Sequence, residues 1–410
     1  MPNRRHFIFS AVATSLTSQI QAQNKANRKL RVGVMGLSRG QAHIRNFAKI
    51  TGVEVAYVCD VDSDRLAAGA KLAASAQNGR EPKAVTDFRR ILEDPSVDIL
   101  SIAAPNFWHA PATILACDAG KHVYVEKPGS HNPLEAKLMV QAARRNNRKV
   151  QMGNQRRSAP GFQEGIEKIK SGAIGPLRYA RCWYGNTRQS IGRGKQTSIP
   201  KSLDYDLWQG PAAHRPYQNN LIHYNWHWLW HYGGGELANN GVHALDIARW
   251  ALEVDAPLTT SYVGGRYHFE DDQETPDTGD ACYDFGNVGI SWHGSSCLRR
   301  SHERHPFVSL YGESGVVSFD RGGYQIYDLE GKITEENRPD LSDLPHFENL
   351  INAIRHEEAL NAEIGDAQKS TMLCHLGNIS YREGLQIKAM NFPEKYQTRD
   401  YCDQWRPVGA

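Results

Sequence analysis

The sequence predicts an α/β chain in two parts: a doubly wound parallel sheet, then an α+β domain built on a large, mostly antiparallel open sheet. Three observations carry that expectation. Up to Gly153, short apolar runs alternate with helix-period stretches, as in a sheet wound with helices. Two of those runs, Ile99–Ile102 and His122–Val125, are short, mostly apolar bursts without alternation, of the kind found in strands buried on both faces. From Asn154 the pattern becomes long period-two alternation, which suits strands with one covered face. At 410 residues the chain is too long for one ordinary core and fits two domains, expected at 29–153 and 154–395, with a tail at 396–410.

A composition of 40% hydrophobic and 23% charged residues is that of an ordinary soluble protein. The formal charge of +3 is scattered rather than massed, so a nucleic-acid partner is disfavoured. The seven cysteines are dispersed without a CxxC pair and point to neither a zinc site nor a disulfide framework. Residues 1–23 place Arg4 and Arg5 ahead of a moderately apolar segment, with small residues near Ala22, and read as an export signal. The segment resembles a twin-arginine signal at Arg4, Arg5 and Phe7 and departs from it at Asn3, Ile8 and Phe9. That implies a periplasmic or otherwise exported protein, or a cytoplasmic one if the signal does not work. The segment is too short and too rich in Ser and Thr to anchor, so no membrane partner is expected after processing.

In order, Leu30–Met35 reads as a buried strand and Gly36-Leu-Ser-Arg-Gly40 as the turn after it, followed by a helix carrying Ala42, Ile44, Phe47 and Ala48. A glycine turn between strand and helix lets backbone amides approach a pyrophosphate and aims a helix N-terminus at its charge. Ser38 stands where the G-x-G-x-x-G form wants glycine. Gly36, Ser38, Arg39 and Gly40 are the candidate contacts, Arg39 against a phosphate or the adenine. The strand Val53–Cys59 ends in Asp60, roughly 20 residues past the turn. A carboxylate there accepts hydrogen bonds from ribose hydroxyls and repels a 2′-phosphate, which favours NAD over NADP in a Rossmann domain. Its competing role is a helix cap or turn, which Asp62 or Ser63 could equally fill.

Ser63–Gln77 reads as a helix, and Thr86 as the cap of a short helix through Leu92. Pro105 and Asn106 break the strand that starts at Ile99; Pro111 marks a helix start and Gly120 its stop. His122–Val125 delivers Glu126, Lys127 and Pro128. Asn132 and Pro133 open a helix with Leu134, Leu138 and Ala142 on one face, and Val150–Gly153 closes the sheet. Ligands sit at the carboxyl ends of parallel strands, so Asn106, His109, Glu126 and Lys127 share one mouth.

The Pro105-Asn-x-x-His109 and Gly120-Lys-His-Val-x-x-Glu-Lys-Pro128 runs resemble the Gfo/Idh/MocA family of sugar and cyclitol oxidoreductases. A second stretch, Leu221–Trp250, resembles that family's GGGxLxDxGxHxxDxxxW signature at Gly233–Gly235, Leu237, Gly241, His243, Asp246 and Trp250. It departs at Asn239, where the family has an aspartate. The resemblance implies a relay of that acid, His243 and Lys127; an amide can neither accept a proton nor raise the histidine's pKa by charge. It also implies a second domain with one sheet face toward the cofactor domain and the other toward a second subunit, hence a homodimer or homotetramer.

The second part is expected to hold alternating strands at Leu177–Tyr184, Thr259–Phe269, Cys282–Trp292, Phe307–Tyr311 and Val316–Phe319, with helices at Gly241–Leu252, Leu344–Glu358 and Asp366–Ile387. His223, His227 and His231 would share one face of a helix and invite a metal, but carboxylates are absent nearby. The interleaved Tyr224, Trp226, Trp228, Trp230 and Tyr232 read instead as a wall for sugar rings, without metal. Tyr224, Trp228, Tyr232, His243 and Arg156 are the candidate substrate contacts; for Arg156 a surface ion pair is the competing role.

Oxidising a secondary alcohol needs a base within reach of the hydroxyl proton while hydride leaves carbon. His243 suits that base, and Lys127 would steady the developing negative charge. With Asn239 they form the expected catalytic set of an NAD-dependent sugar or cyclitol oxidoreductase. Two alternatives compete. One is a glycoside hydrolase that oxidises the sugar transiently and regenerates NAD, as NAD-dependent α-N-acetylgalactosaminidases of the family do; the other is a silent sugar-binding protein.

Overall fold

The computed structural model describes residues 28–300, 302–320 and 322–396. The expected signal over 1–23 and the tail beyond 396 lie outside the described residues.

The first layer runs β1 (Leu30–Met35), α1 (Gly40–Lys49), β2 (Val53–Cys59), α2 (Ser63–Ala76), β3 (Lys83–Val85), α3 (Arg89–Leu92), β4 (Ile99–Ile102), α4 (Asn106–Asp118), β5 (His122–Val125), α5 (Pro133–Arg145) and β6 (Val150–Met152). Its six strands are all parallel, in the order β3-β2-β1-β4-β5-β6. The chain reverses direction across the sheet between β1 and β4, which opens a crevice at their carboxyl ends. β4 is buried at every position, including Ser101, whose hydroxyl meets His43 Nδ1 at 2.8 Å.

Three expectations need correction here. α4 begins at Asn106 and carries Pro111 inside it, because burying Phe107, Trp108 and Ala110 outweighs the one backbone bond that proline forfeits. Thr86 does not cap α3: Phe88 is the N-cap residue, and the Asp87 carboxylate just ahead of it accepts the Arg89 amide at 2.9 Å. The buried face of α5 is Ala136, Met139, Ala142 and Ala143, with Leu134 and Leu138 only half-buried. Asn132 does cap that helix, through the Glu135 amide at 2.9 Å.

The second layer runs α6 (Pro160–Lys170), β7 (Leu177–Gly185), α7 (Tyr205–Gln209), α8 (Val242–Leu252), β8 (Thr259–Gly265), β9 (Thr278–Asp284), β10 (Gly289–Ser295), β11 (Val308–Gly312), β12 (Val316–Asp320), β13 (Gly323–Tyr327), β14 (Ile333–Asn337), α9 (Leu344–His356), α10 (Ile364–Glu383) and β15 (Ile387–Lys388). Its nine strands lie in the order β14-β13-β12-β11-β7-β10-β9-β8-β15, antiparallel except for the β7–β10 pair. The stretch expected as one strand over Cys282–Trp292 is a hairpin turning at Gly286, which takes φ +92°. Period two persists through the hairpin because both strands cover the same core. β8 stops at Gly265, and Arg266 turns off it to pair with Asp271 and Asp277.

Two segments cross between the layers. α9 lays Phe347, Leu350, Ile351 and Ile354 on Val32, Val34, Phe47 and Tyr124 of the first layer. The stretch from Leu203 to Tyr232 packs Trp208, Leu221, Trp226 and Tyr232 against Phe107 and Trp108. It is stitched to the end of β2 by Ser63 N to Ser202 O at 2.8 Å and Asp204 N to Val61 O at 2.9 Å. The crevice is thereby roofed. Among the described residues no helix is long and apolar enough to cross a membrane.

Candidate active site

A cavity of about 530 Å³ opens at the carboxyl ends of β1, β2, β4 and β5 and runs under the Leu203–Tyr232 strap to the start of α8. One end is built for a dinucleotide. Gly36 takes φ +84°, and a Cβ there would come within 2.6 Å of the Ala103 carbonyl, so only glycine lets the two strand ends approach. Ser38, Arg39, Asp60 and Asn106 line this end. Asp60 accepts the Leu37 amide at 2.7 Å and the Asp62 amide at 3.0 Å, which aims its carboxyl into the cavity. Burial raises its pKa, with those amides opposing. These residues fit the ribose and pyrophosphate of NAD: glycine for close approach and a ribose-facing carboxylate beyond it. Gly40 starts α1 behind the turn and does not line the cavity.

His109 touches the cavity, but its ring nitrogens face the carbonyl oxygens of Pro128 at 2.6 Å and Ala104 at 2.8 Å. It braces two loops. Glu126 is buried and accepts Arg39 Nε at 3.1 Å, His43 at 3.0 Å and Gln155 Nε2 at 3.1 Å. Burial alone would push its pKa up, but His43, Arg39 and Lys127 outweigh it and hold the carboxyl well below the usual range. Arg39 also pairs with Asp343 at 2.6 Å.

The other end is the reacting end. Lys127 donates from Nζ to the Asn239 carbonyl at 2.7 Å and to Asn239 Oδ1 at 3.0 Å. Leu237–Gly241 form a π-helical turn ahead of α8, and that wide turn presents both oxygens of Asn239 at once. An ammonium has three donors, so one N–H is left for the cavity. Burial lowers the Lys127 pKa, with Glu126 opposing. His243, on the first turn of α8, lines the same cavity, and no described residue hydrogen-bonds its ring. Burial, then the charges of Arg156 and Lys127, holds it far below the usual imidazole range; it is a neutral acceptor at physiological pH. Asn239 thus serves Lys127 directly.

Arg156 and Tyr224 line the cavity. Trp228 and Tyr232 do not. Trp228 is fully buried under the Arg188 guanidinium at 4.0 Å, and Tyr232 packs with Trp208 and Phe107 while donating to Gln209 at 3.1 Å. Their alternation with polar residues marks a segment lying on a core, not a sugar wall. The three histidines share no face, since only Asn225–Trp228 is helical and that as a 3-10 turn. His223 faces Asp62 at 3.2 Å, His227 the Tyr224 carbonyl at 2.6 Å and His231 the Ala213 carbonyl at 2.7 Å. His223, Trp226 and His227 line the cavity instead. His43, Gln155 and Asp343 complete the Glu126–Arg39 network; nothing in their spacing announces it, because they come from three distant elements.

The first layer and its lining define a nicotinamide-dinucleotide-binding domain set against an α/β partner. Residues 30–154 match the family model described as oxidoreductase family, NAD-binding Rossmann fold, and 168–403 the one described as oxidoreductase family, C-terminal alpha/beta domain. The chain belongs to the Gfo/Idh/MocA oxidoreductase family. It is 32% identical over 149 residues to inositol 2-dehydrogenase of Salmonella typhimurium, covering 36% of this chain and 43% of that protein. It therefore spans under half the length of that relative. D-glucoside 3-dehydrogenase of Escherichia coli is 24% identical over 370 residues, covering 85% of this chain and 93% of its own. A glycosyl hydrolase family 109 protein of a Shewanella species is 27% identical over 213 residues, covering 44% and 46%. The solved structure of levoglucosan dehydrogenase with NADH and levoglucosan superposes at a TM-score of 0.70, with 18% identity over 88% of this chain and all (100%) of that one.

Proposed function

We propose that the protein transfers hydride between a secondary alcohol of a sugar or cyclitol and NAD. The observation that carries this reading is the meeting, in one cavity with the Gly36 turn and Asp60, of a Lys127 ammonium with one donor left over and an unengaged neutral His243. NAD+, when bound, supplies the hydride acceptor. His243 takes the hydroxyl proton on a ring nitrogen. Lys127 donates its remaining N–H to the same oxygen and offsets the charge that develops there. Asn239 holds Lys127 on that line, and Glu126, locked by Arg39 and His43, keeps a fixed negative charge beside it.

The names of the relatives support alcohol oxidation on cyclitols and glycosides, and the family 109 relative favours a second reading, glycoside cleavage through transient oxidation. Incubating the protein with NAD+ and a panel of free sugars, cyclitols and aryl glycosides separates the two. Net NADH supports the dehydrogenase; aglycone released without net NADH overturns it in favour of the hydrolase; neither product leaves a binding protein. We further read the chain as exported through the Arg4-Arg5 segment and as a homodimer or homotetramer through the outer face of the nine-stranded sheet. Cell fractionation and sedimentation velocity test these two points.

A further inference from the structure

The reacting end of the cavity holds a cation whose side chain forms no ion pair with any described residue. Arg157 is clamped by Asp246 at 2.9 and 2.8 Å and by Asp366 at 2.9 Å. The side chain of its neighbour Arg156 makes no hydrogen bond or ion pair with any described residue. The Arg156 Nε is buried without a partner, and the guanidinium lies 4.3 Å from the centre of the Phe307 ring. The carboxylates lining the cavity are already engaged: Asp60 by two backbone amides, Asp87 by Arg89, Glu126 by Arg39, His43 and Gln155, and Asp343 by Arg39. Burial lowers the pKa of Arg156 to about 10, and the more distant charges of Asp343, Asp320 and Asp246 do not make up the difference.

Holding a guanidinium largely out of water with a buried, unpartnered nitrogen is unfavourable. A folded chain that tolerates this cost at a ligand cavity is built for a ligand that removes it. Arg156 stands close enough to His243 and Lys127 to depress the histidine's pKa, so its ligand occupies the substrate end and not the adenosine end. A guanidinium offers a planar fork that a carboxylate meets with two parallel bonds. We propose that the sugar or cyclitol bound here is acidic, a uronate or an aldonate, with its carboxylate on Arg156 and a secondary alcohol at Lys127 and His243. This rests on the dehydrogenase reading of the same site.

Calorimetric titration of the NAD+-loaded protein with D-glucuronate, D-galacturonate and D-gluconate, against D-glucose and D-galactose, tests it. The expected result is that at least one acid binds about tenfold or more tightly than its neutral parent, a difference of about 1.4 kcal/mol. Arg156→Gln should erase that advantage, and Arg156→Lys, which keeps charge without the fork, should restore part of it. Neutral sugars binding as well as every acid, or an advantage that survives in a folded Arg156→Gln variant, overturns the proposal. The wild-type comparison decides it even if the variant does not fold. NADH formation is scored separately: an Arg156-dependent preference for acids with no hydride transfer to any sugar defeats the dehydrogenase reading alone.

Discussion

Replacing Asn239 with Asp puts a full negative charge where an amide oxygen now sits 3.0 Å from Lys127 Nζ. At an effective dielectric near 20, two unit charges at that separation attract by about 5 kcal/mol, an upper bound of roughly four pH units on the lysine. Solvent at the cavity mouth and the existing pull of Glu126 reduce this to about one to three, the range for a single opposite charge in contact. The sign is fixed: an opposite charge favours the ammonium, so the Lys127 pKa rises from its burial-lowered value. If the reaction needs that ammonium on the substrate oxygen, the basic limb of kcat/KM against pH belongs to Lys127. In N239D it moves up by about one to three pH units. Measuring NADH formation from pH 6 to about 11 in wild type and variant, with melting temperatures to verify folding, reads the shift directly. A basic limb that stays in place or moves down would show that the Lys127 proton does not support the chemistry.

Other perturbations probe the rest of the site. His243→Ala should lower kcat/KM by about 10² to 10⁴ if the imidazole is the base. In wild type no acid limb should appear near pH 6.5, because burial and two cations hold His243 well below that value; a limb at 6.5 measured on the purified enzyme contradicts the assignment. Asp60→Ser should cut the preference for NAD+ over NADP+ by about tenfold or more, since the repelling carboxylate is gone; the ratio of the two kcat/KM values reads this even if both fall. Arg157→Ala strips the charged partner from Asp246, leaving it the Ser370 hydroxyl at 2.6 Å; the Arg157 and Asp246 side chains are only 6% and 2% exposed. It should cost about 3–5 kcal/mol of stability by chemical denaturation, and a loss under 1 kcal/mol would mean the pair is not buried as described.

Much of the fold is legible because local chemistry and packing agree there. The runs Leu30–Met35, Val53–Cys59, Ile99–Ile102 and His122–Val125 can only be doubly covered strands, and they carry Gly36, Asp60, Asn106 and Lys127 to a common edge by the geometry of a parallel sheet. Asn239 and His243 are legible as a pair only through the resemblance of residues 233–250 to the family signature. The errors fall where packing overrides the local signal. Pro111 looks like a helix start but is carried inside α4 by the burial around it, and Trp228 and Tyr232 look like a wall but fill a core.

By itself the sequence determined the wound sheet and the glycine turn with its acidic strand end, because periodicity and turn chemistry act over a few neighbours; which residues could do redox chemistry came from the family resemblance. Only the tertiary structure decided that Lys127 meets both oxygens of Asn239, that Glu126 is locked from three directions, and that the Arg156 side chain has no ion-pair partner among the described residues. Those facts depend on which groups lose water together, and desolvation is a property of the packed chain, shared among residues up to hundreds of positions apart.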